Sequence, residues 1–269
     1  MTAMSEPVRP EPAPATPGRS HLVSVVVPVR DDATHLDACL TLLARQTRLP
    51  DEVVVVDNAS TDASVEVALR HGARVVHEPR VGIPAAVATG YDAARGDVLM
   101  RLDADSRPGP GWVEHAVRVL DDPEVDAVSG WGRFDVPRPW GALLAHVYLG
   151  SYYLLGALAA GHGVIWGSSA ALRAESWRRA RAHVTRTEDV HDDLDLAMAL
   201  GPGARIVVDR SWHVGVSARS VRPGRQWVAR FGRAFRTLGR QWRVLPPWRR
   251  WEVRLRGSAP GVPAGRARP

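Results

Sequence analysis

Asp97-Val98-Leu99-Met100-Arg101-Leu102-Asp103-Ala104-Asp105 decides how this chain is read. An apolar run stops abruptly at two carboxylates separated by one small residue. Such a run predicts a buried strand that ends at the edge of a sheet and delivers acid groups there. In open α/β sheets, ligands lie beyond the carboxyl ends of the strands. Two carboxylates at that place can hold a hard divalent cation, and the cation can hold a diphosphate. A solvated Asp-X-Asp turn has the same sequence, so the flanking chain must decide between the two.

Two earlier segments share this construction. Leu22-Val23-Ser24-Val25-Val26-Val27 ends at Pro28, and Glu52-Val53-Val54-Val55-Val56 ends at Asp57. Between them Leu36, Cys39, Leu40 and Leu43 recur at helical spacing, which predicts a helix over 33–46 capped by Asp31 or Asp32. Asn58-Ala59-Ser60-Thr61-Asp62 follows, with Ser60 or Thr61 placed to cap a helix over 62–71. A short strand over 73–77 comes next. A helix over 83–95, opened by Gly82 and closed by a left-handed Gly96, leads back to the 97–102 strand. Repeats of this kind build a parallel sheet with right-handed crossovers.

The second half is less regular. Residues 112–120 predict a helix, 125–130 a strand, and 167–173 a strand or turn of small residues. The stretch from Trp140 to Trp166 is strongly apolar, but several glycines, His146 and His162 break it. It reads as a helix packed on the sheet or lying at a membrane surface, in preference to a span of about 20 apolar residues. Glu188, Asp189, Asp192, Asp193 and Asp195 place five acids within eight residues, entering a helix over 192–200. A helix dipole favours one or two acids at that position, not five. A strand over 204–208 follows, with 211–216 pairing nearby.

With 45% hydrophobic and 24% charged residues, a chain of 269 residues can bury a substantial core. Its one cysteine, Cys39, excludes an internal disulfide and fits a reducing, cytoplasmic compartment. The net charge of +6 is concentrated: between Arg219 and Arg256 the only acid is Glu252. No base-reading motif accompanies that charge, which argues against nucleic acid as a partner. Residues 1–20 and 257–269, rich in Pro, Ala, Gly and charge, are expected to be a disordered leader and tail. The leader lacks the apolar core of a signal peptide.

Several of these segments together resemble family 2 glycosyltransferases. They are Val25-Val26-Val27-Pro28-Val29-Arg30-Asp31, Gln46-Thr47, Val54-Val55-Val56-Asp57-Asn58-Ala59-Ser60-Thr61-Asp62, Gly96-Asp97, Leu102-Asp103-Ala104-Asp105 and Asp192-Asp193-Leu194-Asp195-Leu196. The resemblance covers residues 22–217 and implies a GT-A fold: an α/β architecture with a mostly parallel central sheet flanked by helices. It also implies inverting transfer of a sugar from a nucleotide-diphosphate donor, with Mn²⁺ or Mg²⁺ as cofactor.

Position by position, Pro28 and Val29 resemble the loop under the nucleotide base, and Asp57 the acid that contacts the base. Arg80 and Gly82 fall in the donor-side segment. Asp103 and Asp105 resemble the Asp-X-Asp pair, Asp105 as direct metal ligand and Asp103 nearer the ribose or the metal's water shell. Asp193 resembles the general base, preceded by Asp192 where relatives carry glutamate; Asp189 is the alternative base. His213 lies where some relatives place a further metal or phosphate contact.

There are departures from the pattern. Val87 and Ala88 stand where many relatives have Arg-Asn, a position Arg80 or Arg101 can serve instead. Gln226-Trp227-Val228-Ala229-Arg230 is only a loose echo of the element found in processive synthases. A catalytically degenerate scaffold is the non-enzyme rival. The enzyme rival, a sugar nucleotidyltransferase, expects a glycine-rich loop where Val29-Arg30-Asp31-Asp32 stands.

The domain plan is therefore a glycosyltransferase domain over 21–218 and a basic helical extension over 219–256. In the extension Val228, Phe231, Phe235, Leu238 and Trp242 recur at helical spacing among arginines. Such a helix either packs on the domain or lies on an anionic membrane. The second reading brings in a lipid-linked or cell-envelope glycan as acceptor, peripheral membrane contact through 222–256, and a location at the inner face of the cell membrane. Segments 80–86 and 213–225 are candidate lids against hydrolysis.

Overall fold

A computed structural model describes residues 21–135, 140–217 and 225–256, without the side chains of residues 142, 144 and 225–228. The expected disordered ends, the start of the 219–256 extension, the Gln226-Trp227 echo and part of the 213–225 lid lie outside the described residues.

The three apolar runs are the strands β1 (Val23–Val29), β2 (Glu52–Asp57) and β4 (Val98–Arg101), with β3 (Arg74–His77) at one edge of the sheet. These four pair in parallel in the order β3-β2-β1-β4. The crossover helices are α1 (Ala33–Leu43), α2 (Ser64–Arg70) and α3 (Ile83–Ala93). Burial on both faces explains why β1 and β2 read as valine-rich runs rather than as an alternating pattern.

The sheet then changes character. β5 (Arg107–Pro108), α4 (Trp112–Leu120) and β6 (Ala127–Phe134) follow in the chain. Next come α5 (Trp140–Ala160), β7 (Ala170–Arg173), α6 (Ala174–Ala180), α7 (Asp192–Leu200) and β8 (Ile206–Val216). β7 inserts antiparallel between β4 and β6, β8 runs parallel to β6, and β5 is an antiparallel edge, giving eight strands in the order β3-β2-β1-β4-β7-β6-β8-β5. The predicted 204–208 and 211–216 segments are one strand with an irregularity opposite Ser129–Trp131. The two-residue β5 and the helix α6 have no periodicity long enough to be read in advance.

Helices α8 (Arg225–Val244) and α9 (Pro247–Leu255) form the basic end. They are docked on the rest of the protein. Thr237 and Gln241 of α8 are buried against α7, and Trp242 Nε1 donates to the Ala159 carbonyl at 3.1 Å. Arg250 of α9 is buried and donates to the Met198 carbonyl at 3.2 Å. No described helix is long and apolar enough to cross a membrane.

Three local expectations are corrected. Asp32 stands at the N-cap of α1 but its side chain makes no capping bond, and the N-cap of α2 is Ala63, not Ser60 or Thr61. Asp62 serves both helices: one carboxylate oxygen accepts Ala33 N–H at 2.9 Å and the other accepts Ser64 N–H at 3.0 Å. Gly96 is not left-handed. It is glycine because a Cβ would lie 2.7 Å from both the Leu22 carbonyl and Ser24 Oγ.

Gly90 brings α3 onto the sheet. A Cβ there would meet Val26 Cγ1 at 2.3 Å and Val56 Cγ2 at 2.8 Å. Valine side chains are stiff and cannot swing aside. Gly90→Ala gains about 1 kcal/mol of helix propensity, but this overpacking outweighs it. We expect a net loss of about 1–3 kcal/mol, read as a lower urea midpoint at unchanged slope.

Candidate active site

The carboxyl ends of β1, β2 and β4 lie at one edge of the sheet, together with the start of β7. A cavity of about 470 Å³ opens there, within the size range of small-ligand sites. Its lining includes Arg30, Asn58 and Gly82, and also Arg101, Asp103, Tyr148, Tyr152, Trp166 and Ser168. His191, Asp192, Asp193, Arg230 and Arg233 complete the far wall.

Asn58 organises the near wall. Its side-chain amide donates to the carbonyls of Glu78 at 2.9 Å and Arg80 at 2.8 Å, and its carbonyl accepts Gly82 N–H at 2.7 Å. Glu78 is buried and holds the Arg80 guanidinium through two bonds of 3.0 Å, with Thr89 Oγ1 on its second oxygen. Those Arg80 hydrogen bonds pull its carboxyl from 4.5 down to about 2. Gly82 has φ 137°, a conformation open to glycine alone in practice, and a Cβ there would strike Glu188 Cγ at 2.4 Å. Asp57 accepts Ser60 N–H at 3.0 Å and faces His77 Nδ1 at 3.0 Å. Burial opposes its charge, but these partners outweigh burial and hold it below the ordinary value.

Arg101 organises the far wall. Its guanidinium, 5% exposed, reaches from the end of β4 to Asp193 Oδ1 at 2.7 Å, Asp103 Oδ1 at 3.2 Å and the Asp192 carboxylate. Gly167 N–H donates to Asp193 Oδ2 at 2.8 Å, and Ser168 Oγ donates to Asp103 Oδ2 at 2.5 Å. No side chain is possible at Gly167, where a Cβ would lie 2.4 Å from both Arg101 Cζ and Asp193 Oδ1. Asp192 and Asp193 open α7 behind His191, whose N–H donates to Thr237 Oγ1 at 2.8 Å.

The acids of this cluster have distinct surroundings. Burial pushes Asp193 well above the ordinary carboxylate value, and the adjacent Asp192 charge adds to the rise. Burial also works against Asp192, yet the nearby Arg101 charge holds it below its ordinary value. The two neighbouring carboxyls are thus shifted in opposite directions, Asp193 up and Asp192 down. Asp195 is fully buried and ties α7 to Gln241 of α8 at 2.8 Å and to Thr185 N–H at 2.6 Å. Asp189 pairs with Arg240 at 2.8 Å on the protein surface.

Of the residues predicted from sequence, Gly82, Asp103, Asp192 and Asp193 line the cavity. Pro28 and Val29 belong to β1 behind it, and Arg80 is held beside its rim by Glu78. Asp57, Asp105, Asp189 and His213 are not among the lining residues. Asp105 is half-buried in the turn after β4, and His213 is half-buried on β8 opposite Trp131. Gly167, Ser168, Tyr148, Tyr152, Arg230 and Arg233 were not singled out. The one available signal was the run of small residues after Trp166. His191, Asp192 and Asp193 offer ligand atoms within 4.8 Å of one another.

The sequence profile of glycosyl transferase family 2 matches residues 24–178, more than half of the chain. The chain belongs to that family. It is 32% identical over 124 residues to glycosyltransferase AglE of Haloferax volcanii, covering 43% of this chain and 41% of that protein. It is 36% identical over 129 residues to an uncharacterized glycosyltransferase of Mycobacterium tuberculosis, covering 47% and 57%. The chain thus spans about half the length of these curated relatives. A mannosyltransferase of Pyrobaculum calidifontis, solved with GDP-Man and Mn²⁺, superposes with a TM-score of 0.60 at 22% identity, over 93% of this chain and 77% of that one. Glucosyl-3-phosphoglycerate synthase of Mycobacterium tuberculosis with UDP gives 0.58 at 22% identity, over 82% and 80%. The family 2 chain therefore has the GT-A fold.

Two outcomes follow for this family 2 site. Removing the Arg101 charge strands buried carboxylates, so Arg101→Gln should cost about 3–5 kcal/mol in urea denaturation. Arg101→Lys should recover part of that, since an ammonium cannot fork across several carboxylates. Glu78 has a depressed folded pKa, so its stabilisation is complete above pH 4.5 and disappears as pH falls toward about 2. The stability difference between wild type and Glu78→Gln should shrink across that window in urea midpoints measured against pH.

Proposed function

We propose that this cleft transfers a sugar, with inversion, from a nucleoside-diphosphate donor to a hydroxyl acceptor, with Asp193 as the general base. The observation that supports this most is Asp193 itself. It is a carboxylate in the same cavity as Asp103, fixed on both oxygens by Arg101 and by Gly167 N–H. An acceptor hydroxyl is a poor nucleophile until its proton is removed, and a positioned base contributes about 10²- to 10⁴-fold. A raised pKa makes Asp193 the stronger acceptor of that proton once it is ionised. Asp192, kept charged by Arg101, discourages the proton from settling there. One displacement from the face opposite the leaving diphosphate inverts the anomeric carbon without a covalent sugar–enzyme step.

On the donor side, Asp57 and the Pro28-Val29 segment take the nucleotide, and Arg80 and Gly82 take the phosphate side. Asn58 fixes the 78–82 loop that carries this contact. Asp103 and Asp105 are carboxylate donors of the kind that fits Mg²⁺ or Mn²⁺, while the group whose ligand atoms converge within 4.8 Å among the described residues is His191, Asp192 and Asp193. Asp105 and Asp103 would hold the ion, with His213, whose Nδ1 is buried without a hydrogen-bond partner among the described residues, as the further contact. Bound there, the ion would supply Lewis-acid neutralisation of the leaving diphosphate. Arg230 and Arg233 face the same cavity and suit an anionic acceptor, such as a lipid-linked or cell-envelope glycan precursor. The arginines of 222–256 suit peripheral contact with an anionic membrane.

The deciding experiment pairs calorimetry with turnover. UDP, GDP, dTDP and CDP are titrated with Mn²⁺ and then with EDTA into wild type, Asp105→Asn and Asp193→Asn. One nucleotide should bind in a metal-dependent way that Asp105→Asn abolishes. Asp193→Asn should keep that binding and lose about 10²-fold or more in turnover. Absence of binding by all four nucleotides in folded protein would instead support a degenerate scaffold.

A further inference from the structure

Helix α5 is apolar on the side that faces away from the protein. Its 21 residues include no Asp, Glu, Lys or Arg. Ala145, Leu149 and Tyr153 pack inward on the core. On the opposite side Trp140, Leu143, Val147, Leu154, Leu155 and Leu158 are each more than half exposed. Positions 140, 143, 147, 154 and 158 lie along one helical side, roughly 27 Å long at 1.5 Å per residue, with Ser151 as the exposed polar residue between 147 and 154. A helix packed on a soluble domain carries polar residues on its outer face. Single exposed leucines need no explanation, whereas an aligned set of them marks an interaction surface.

The neighbouring helices add exposed aromatic residues and charge. Phe231 and Phe235, one turn apart on α8, are exposed, and α8 meets α5 through Arg230 at Tyr148 and Trp242 at Ala159. Trp251 of α9 donates its Nε1 to the Leu158 carbonyl at 2.9 Å. Residues 225–256 hold ten arginines and a single acid, Glu252, and Arg243, Arg249, Arg254 and Arg256 are exposed. We infer that the outer face of α5, flanked by α8 and α9, lies flat on an anionic lipid bilayer. Its leucines meet the acyl boundary, its aromatic residues the headgroup level, and the arginines the lipid phosphates. A second copy of the chain is the poorer occupant, because pairing this face with itself would bring two arginine-dense helix pairs together.

This surface is joined to the cleft. Tyr148 and Tyr152 lie on the flank of α5 and line the cavity, as do Arg230 and Arg233 of α8, and Arg230 reaches Tyr148 Oη at 3.5 Å. The two helices that carry the membrane face are therefore two walls of the acceptor side. An acceptor anchored in the same bilayer can present its headgroup between them without leaving the lipid. That last step rests on the sugar-transfer reading; the bilayer contact does not.

The test is flotation of the full chain with vesicles of phosphatidylcholine alone and of phosphatidylcholine with phosphatidylglycerol. Wild type should float with the anionic vesicles, less with the neutral ones, and less as salt is raised. Leu154→Ser with Leu158→Ser should reduce flotation by roughly tenfold or more, with the circular-dichroism melt unchanged because both side chains are exposed. If that pair melts early, Val147→Ser with Leu155→Ser probes the same face. Three results overturn the inference: wild type that stays unbound to anionic vesicles, variants that float as wild type does, or a wild-type dimer that the substitutions dissolve while neither protein floats. Nucleotide binding is measured without vesicles, so failure of the transfer reading would appear there and leave the flotation result standing.

Discussion

A single buried guanidinium holds the site together. Arg101 sits at the end of β4 and reaches Asp192 and Asp193, which are 91 and 92 residues further along the chain. Without it, the start of α7 would press two carboxylates against a third in a region of low dielectric. The desolvation cost of such an arrangement is several kcal/mol per ion before any pairing. One cation facing three carboxylates does not neutralise them. Burial, and after it the neighbouring Asp192 charge, therefore still pushes Asp193 above its ordinary value. The same knot therefore ties β4, the turn at Gly167 and Ser168, and the start of α7 into one wall.

The two walls are built by different means. On the near side, Asn58 and Glu78 use backbone carbonyls and N–H groups to hold the 78–82 loop rigid, so the parallel half of the sheet sets its position directly. On the far side, α7 takes its place from helices added later in the chain. Thr237 fixes His191, Gln241 satisfies buried Asp195, and Arg250 meets the last turn of α7. Truncating the basic end would thus leave Asp195 buried without Gln241, apart from any effect on membranes. The extension belongs to the site's architecture as much as to its surface.

This division explains what could be read in advance. Apolar runs mark strands buried on both faces, and the acids that follow two of them mark the edge to which they point, so β1, β2, β4 and the Asp103 carboxylate were legible. So was the acid cluster before α7, because five acids exceed what a helix start accounts for. Gly167, Gln241 and Thr237 were not legible. A glycine that admits two side chains, or a glutamine buried against an aspartate on another helix, leaves no periodic trace. Local pattern reports how buried a residue is, not which residue it meets. The same limit hid Arg101: its position at the end of an apolar run was plain, but its three partners depend on where α7 is carried by the fold. It also explains the capping errors, since Asp62 serves a helix that precedes it by 29 residues.

α5 shows where folding stops explaining the sequence. Core packing accounts for Ala145, Leu149 and Tyr153, and the cavity accounts for Tyr148 and Tyr152. Neither constrains the outward positions, where a glutamate or lysine would fit without strain and would favour solubility. Large apolar side chains occupy those positions without interruption by charge, while the adjoining helices carry arginine in excess. If folding alone had shaped this helix, its outer face would resemble that of α4, where Glu114 and Arg118 pair on the exposed side. The contrast between two helices of one domain, both packed on the same sheet, locates the added constraint on the α5 surface and nowhere deeper.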